Sequence, residues 1–289
     1  MKKQEKVILG SDLYTPQYRY ADLNTGIRMA FVELGQKNGS PIVLLHGATD
    51  SYLSFSQMAP IIAEHGYRVI IPEFRGHGKS SAPESLYVIE AHTADVYALL
   101  KMLDMQDAHI VGHSLGSFVA QKLAAEYTAS VSSLTLIGTA ATLSGNAVLE
   151  WILEGDDNFG GINHLQSLPD AFLLEWTASS NYDKNFISKT LEHAKALPIE
   201  TWRNVFGGAS ISDFADPSSI TVPVQIVYGN EDVFFSKDMQ MELIARLGSK
   251  SILYLEKKGM GHNTHWEENL GEEIAIDIVR FLSWKNSMV

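Results

Sequence analysis

The sequence contains no cysteine. Disulfides, thiolate zinc sites and a cysteine nucleophile are therefore excluded, although the absence does not fix a compartment. The chain also lacks any run of about 18 apolar residues, the length needed to cross a bilayer. Its opening stretch, MKKQEKVILGSDLYTPQ, carries lysines but no apolar core of signal-peptide length. A cytoplasmic protein with no membrane partner is expected. Basic residues are scarce: 22 Lys and Arg stand against 34 Asp and Glu, a formal charge of −12. Phosphate binding needs a basic surface, so nucleic acid is not the expected partner. The acidity reads as a contribution to solubility. There is no internal repeat and no low-complexity segment.

What is present is an alternation of short apolar runs with helical patterns. The 289 residues suit one large domain with an insertion. Strands are predicted at IRMAFVEL (27–34), PIVLLHG (41–47), YRVIIPEF (67–74), AHIVGHS (108–114) and VSSLTLIGT (131–139). Helical spacing separates them near 55–65, 88–105 and 115–127. Strands that read as continuous apolar runs are buried on both faces, which implies a mostly parallel central sheet flanked by helices. The rhythm breaks over 143–216, where helical patterns occur without a convincing strand. It resumes with a strand at 222–230, a helix at 236–248, a strand at 251–257 and a helix at 269–284. The expected division is a core of 1–142 and 217–289 with a helical cap inserted at 143–216.

The chemistry is concentrated at three strand ends. Gly112-His113-Ser114-Leu115-Gly116 has the pattern G-x-S-x-G where a strand runs into a helix. A sharp strand-to-helix turn crowds the central residue, and small residues two before and two after relieve it. Ser114 is then exposed at the carboxyl end of the sheet and at a helix N-terminus, which favours developing negative charge. A serine needs a base, and the base an orienting acid. His262, in the loop GMGHNTHWEEN between the last strand and last helix, is the expected base, with His265 as the competitor. Asp232, in YGNEDVFF after an apolar strand, is the expected acid, with Glu231 as the competitor. The expected donors to an oxyanion are the backbone N–H groups of Leu115, next to the nucleophile, and of Ala48, in the His46-Gly47-Ala48 loop. His46 reads as a brace for that loop.

These motifs resemble the α/β-hydrolase superfamily, in its esterase-like branch with a helical cap. The resemblance runs through LLHGATDS, PEFRGHGKSS, VGHSLGSFVAQ, YGNEDVFF and GMGHNTHWEEN. It implies a Ser114-His262-Asp232 triad working without a cofactor, on a small-molecule ester or lactone with an apolar part. Glu73 stands where the family usually has Asp, and the Ala48-Thr49-Asp50-Ser51 run lacks the proline of many relatives. Glu267 matches a glutamate that follows the family's histidine and reads as structural. Dehalogenases and epoxide hydrolases of this fold place an aspartate at the nucleophile, which speaks against them here. A carbon–carbon hydrolase of ring-cleavage products, a cofactor-free perhydrolase and a receptor-like binding protein stay open. Arg203, the only arginine in the insertion, is the residue that would hold a dienoate carboxylate.

The insertion is rich in aromatic residues. Most must form the cap's own core, but a lid over a serine also walls an apolar pocket. Trp151, Phe172, Trp176 and Trp202 are expected to touch substrate. Asp50 is expected either at the pocket rim or as a cap of the following helix. Asp156, Asp157, Gly160 and Gly161 read as a loop, and no metal site is expected.

Overall fold

The computed structural model describes residues 16–176, 184–267 and 269–287. The opening stretch as far as residue 15 lies outside the described residues, as do 177–183 of the insertion. Eight strands form one sheet: β1 (Arg19–Asp22), β2 (Arg28–Gly35), β3 (Pro41–Leu45), β4 (Arg68–Pro72), β5 (Ala108–His113), β6 (Val131–Ile137), β7 (Val224–Gly229) and β8 (Ile252–Lys257). Their order is β1-β2-β4-β3-β5-β6-β7-β8. β1 and β2 are antiparallel to their neighbours, and the pairs from β4 through β8 are parallel. Six strands correspond to predicted runs at 41–47, 67–74, 108–114, 131–139, 222–230 and 251–257, and β2 to 27–34. β1 has no apolar run to betray it: its RYAD sequence has one buried residue and sits at the sheet edge.

The helices outside the insertion are α1 (Ala59–Glu64), α2 (Ile89–Met102), α3 (Leu115–Glu126), α8 (Lys237–Arg246) and α9 (Leu270–Asn286). Strand side chains alternate between faces. Val43, Leu45, Ile70, Ile110, Leu134 and Ile226 meet Val96, Leu99, Phe118, Leu123 and Leu243 of α2, α3 and α8. Ile42, Leu44, Ile71, Val111, Ile137 and Val227 meet Ile62 of α1 and Ile274, Ile278 and Leu282 of α9. Both faces of the sheet are therefore covered, which explains why every residue of β5 is buried.

Between β6 and β7 lie α4 (Ala147–Glu154), α5 (Asp170–Trp176), α6 (Lys184–Ala196) and α7 (Ile199–Ser210), with no strand among the described residues. Leu149, Ile152, Phe159, Ile162, Phe172, Leu173, Ala194, Trp202 and Phe206 give these helices a core of their own. Phe159 and Phe172 stack at 4.7 Å, and Trp202 lies edge-on to Trp176 at 5.5 Å. Helices within 170–210 fit a cap over the carboxyl ends of the strands. The cap is seated partly by α6, where His193 Nδ1 lies 2.9 Å from Ser51 Oγ. α7 reaches the sheet core through Val205 and Ala209.

Candidate active site

The turn from β5 into α3 explains the two glycines. Ser114 has φ 49° and ψ −117°, a region that L side chains rarely adopt. A Cβ on Gly112 would come within 2.3 Å of Gly116 O, and one on Gly116 within 2.1 Å of Leu45 O. Any side chain at either position would push α3 off β5 or off the end of β3. The Ser114 N–H donates to Ile137 O at 3.0 Å, and Ser117 Oγ donates to Ser114 O at 2.7 Å. The strained residue is thus held from both sides, which is how such a conformation persists.

The loops after β7 and β8 bring an acid to an imidazole. His262 Nδ1 lies 2.9 Å from Asp232 Oδ2, so the ring donates from Nδ1 and turns Nε2 away from the carboxylate. The other oxygen, Asp232 Oδ1, accepts the N–H groups of Phe234 at 2.8 Å and Phe235 at 3.1 Å. Both carboxylate oxygens are engaged, and the side chain is fully buried. The Phe234 ring lies 4.6 Å from His262 and narrows its rotamer choice. Glu231 is exposed, and its backbone N–H donates to Met260 O. His265 is buried, 2.9 Å from Ser54 Oγ.

The segment after β3 is held by two histidines. His46 Nδ1 donates to Gly47 O at 2.8 Å while Nε2 accepts the Phe74 N–H. His77 Nδ1 donates to Arg75 O, and its Nε2 accepts the Thr49 N–H at 3.0 Å. Burial pulls both rings below the usual histidine range, His77 to about 4. They stay neutral, so each can accept at Nε2. Thr49 has φ 58°, and its hydrogen bond to His77 fixes the bend that follows Ala48. Among the described residues neither the Ala48 nor the Leu115 N–H has a backbone partner outside regular structure. Leu115 is the first residue of α3, where N–H groups have no partner within the helix.

These parts converge on one cavity. Gly47, Ala48, Thr49, Asp50, Ser114, Leu115 and His262 form its polar end, with His113 and Asn263 alongside. Phe118, Phe234, Phe235 and Trp266 supply apolar walls from the core, and Leu143, Leu149, Trp176, Thr190, Ala194, Phe206 and Ala209 come from the segment between β6 and β7. A second cavity of about 370 Å³ adjoins the first through Trp176, Phe234, His262 and Asn263. Trp151 and Phe172 line this second space, together with Glu175, Glu231 and Glu267. Of the residues expected to touch substrate, Trp202 lines neither cavity; it is fully enclosed in the cap core behind Trp176. Phe234 and Phe235 escaped the reading of the sequence, although they directly follow the YGNEDV motif. Thr190 and Ala194, one helical turn apart on α6, carried no local signal at all.

Two carboxyls sit under this loop. Burial pushes Asp50 up to about 7 and Glu73 up to about 8. Glu73 Oε1 accepts from Tyr18 Oη at 3.1 Å and from the Tyr52 N–H at 3.3 Å. Gly78 makes room for it, since a Cβ there would fall 2.4 Å from the Glu73 carboxyl. The longer acid is thus accommodated inside the fold, away from the cavity lining. Behind His262, His113 and His265 approach each other at 4.4 Å, and burial lowers both. Among the described residues no group of three or more His, Asp or Glu side chains is arranged to hold a metal ion. No helix there is long and apolar enough to cross a membrane.

Comparison with known proteins bears on the fold. Residues 40–269 match the profile of the alpha/beta hydrolase fold. Epoxide hydrolase A of Mycobacterium tuberculosis is 35% identical over 126 residues, covering 42% of this chain and only 39% of that relative. The bromoperoxidase of Bacillus anthracis superposes with a TM-score of 0.79 at 22% identity, over 92% of this chain and all of that one. The esterase EaEST of Exiguobacterium antarcticum gives a TM-score of 0.80 at 17% identity, again over 92% of this chain and 100% of that one. At such identities the two superpositions speak for the fold alone.

Proposed function

The chain belongs to the alpha/beta hydrolase fold family, and on that premise we propose that it is a serine hydrolase of carboxylic esters or lactones. The observation that carries this reading is His262, held from behind by the buried Asp232, lining the same cavity as Ser114, the residue held in a strained turn between two sterically required glycines. Ser114 attacks the carbonyl carbon while His262 Nε2 takes its proton. Asp232 holds the ring in the tautomer that leaves Nε2 basic and stabilises the imidazolium that forms. The Ala48 and Leu115 N–H groups receive the oxyanion, each contributing roughly 3–4 kcal/mol. His262 returns the proton to the leaving alcohol, and water repeats the sequence on the acyl-enzyme. A lactone follows the same steps with both product ends on one molecule. The cap we read as the insertion 143–216, and its apolar lining favours an apolar acyl or alcohol part.

A serine at the elbow supports ester chemistry over the aspartate-dependent epoxide opening suggested by the name of one relative. Arg203 argues against a carbon–carbon hydrolase: its Nε donates to Ile162 O at 2.8 Å, and its guanidinium also binds Leu165 O. It is committed to the cap, and no Arg or Lys lines either cavity among the described residues. The test is turnover of p-nitrophenyl butyrate. Wild type should exceed a Ser114→Ala variant by roughly 10³-fold or more in kcat/KM. Equal rates in the two proteins defeat the proposal.

A further inference from the structure

Resting on that reading, one residue of the cavity says something about the acyl group. The segment Gly47-Ala48-Thr49-Asp50 lines the cavity as a unit. Asp50 is more than nine-tenths buried. It is not needed as the cap of the 3-10 turn that follows, Tyr52–Phe55, because Ser51 Oγ takes that role by accepting the Leu53 N–H. Asp50 Oδ1 accepts the Ser51 N–H at 2.7 Å; Oδ2 has no partner at ordinary hydrogen-bond geometry, and the Ser54 hydroxyl and the Gly47 N–H act on the carboxyl only from outside that geometry. An unpaired carboxyl oxygen in such a place is costly unless something else uses it.

The polar groups beside it share one property. Thr49 Oγ1 spends its proton on Ala48 O at 2.7 Å, and Thr190 Oγ1 spends its proton on Phe186 O at 3.1 Å. Both hydroxyls can therefore only accept further bonds. Thr190 belongs to the turn of α6 that His193 seats on Ser51, so the cap brings it over the Asp50 segment. Two hydroxyls whose protons are used and a carboxyl oxygen without an ordinary partner make this side of the cavity a patch of acceptors, apart from the Ser114 hydroxyl and the Ala48 and Leu115 N–H groups at its reacting end. No Lys or Arg is among the cavity's described lining residues to neutralise this patch, which suits a ligand that brings its own donor.

We propose that Asp50 is a specificity residue that takes a hydroxyl on the acyl chain of the substrate, making this a hydrolase of hydroxyacyl esters or the corresponding lactones. The acyl side is indicated because Asp50 lies two residues from Ala48, the donor that receives the carbonyl oxygen, and on a different loop from His262. A hydroxyl fits better than an ammonium group. Burial holds the Asp50 carboxyl near neutrality up to about pH 7, and a hydroxyl can give a proton to the ionised form or accept one from the acid. An ammonium group suits only the ionised form.

The test compares p-nitrophenyl butyrate with its 2-hydroxy and 3-hydroxy analogues. Wild type should prefer at least one hydroxylated ester by roughly 10–100-fold in kcat/KM, the value of a hydrogen bond to a buried carboxyl. In Asp50→Ala the ratio should fall towards one, and in Asp50→Asn, which keeps an acceptor and a donor, it should be partly retained. A wild-type ratio within twofold of one for both analogues overturns the proposal, whatever the variants do. So does an undiminished ratio in a folded Asp50→Ala protein. Binding of the same intact esters to Ser114→Ala, followed by calorimetry, reads recognition without chemistry. Ester preference in binding with no turnover in wild type would defeat the proposed reaction and leave the role of Asp50 standing; turnover without preference would do the reverse.

Discussion

At the scale of single residues, the two histidines of the GMGHNTHWEEN loop have different work to do. His262 lines both cavities and is held by Asp232, whereas His265 is sealed behind it on Ser54. Their alanine variants should separate cleanly. His262→Ala should cost roughly 10³-fold or more in kcat with little change in melting temperature. His265→Ala opens a buried hole and strips Ser54 of a partner, so it should lower stability by roughly 2–4 kcal/mol and change kcat by less than about tenfold. The reverse pattern would transfer the base to His265. Asp232→Asn probes the third member. With both oxygens of the carboxylate engaged, the amide must present either its NH₂ to backbone donors or a donor to His262. Activity should fall by roughly 10²–10⁴-fold, and activity equal to wild type would point to another acid.

At the scale of elements, the elbow is a packing solution before it is a chemical one. The close approach of α3 to the end of β3 is what places the Leu115 N–H beside the Ala48 loop. Gly116→Ala sets a methyl group against Leu45 O and His46 O, both backbone atoms that cannot swing away. It should destabilise the protein by roughly 1–3 kcal/mol and displace the His46-Gly47-Ala48 loop, so that kcat falls as well. Unchanged melting and unchanged turnover would mean that the helix and strand can separate at no cost. This geometry was legible in the sequence because the elbow's constraint is local: two glycines at fixed offsets from one serine. The parallel strands were legible for a related reason, since burial on both faces leaves apolar runs with no alternation to decipher. β1 was hidden because an edge strand needs only backbone partners and one buried side chain. The cap's contribution was the least readable. Trp202 has the composition of a pocket residue but is spent on holding Trp176, while the cavity takes the small Thr190 and Ala194 alongside Leu149, Trp176 and Phe206. Helical periodicity says which face of a cap helix is apolar but not whether that face meets its own core or the space over the serine.

At the scale of the whole molecule, the fold encloses a set of buried neutral imidazoles, most of them around the site. Six of the ten histidines, His46, His77, His92, His109, His113 and His265, are buried. Burial lowers each of them, His77 to about 4 and His109 and His265 to about 3. A group whose folded pKa lies below its unfolded value contributes stability that is complete above the unfolded pKa, about 6.5 for histidine, and is lost as pH falls. Asp50 and Glu73 act in the opposite sense. Their folded values of about 7 and about 8 lie above the unfolded carboxyl range, so their contribution is complete below about pH 4 and is lost as pH rises through 7 and 8. Between about pH 4.5 and 6.5 the histidines outnumber the carboxyls, and stability should climb with pH. Above 6.5 only the carboxyl effect remains, and stability should decline until about pH 8. Thermal melts across pH 4.5–9 should therefore peak near 6.5, with the steeper limb on the acid side. Glu73→Gln tests the gentler limb: its Oε1 can still accept from Tyr18 and Tyr52, but it has no proton to lose. It should melt higher than wild type at pH 8.5, by an amount on the order of 3 kcal/mol, with a much smaller difference at pH 5. A flat acid limb between pH 5 and 6.5 would contradict the account. Four of the six histidines, His46 and His77 at the Ala48 loop and His113 and His265 behind His262, pack directly around the proposed catalytic groups. Acidification should accordingly loosen the packing of the site itself, read as loss of near-ultraviolet circular dichroism along the same limb as the thermal melts, and a near-ultraviolet signal that stays constant across that limb would contradict the account.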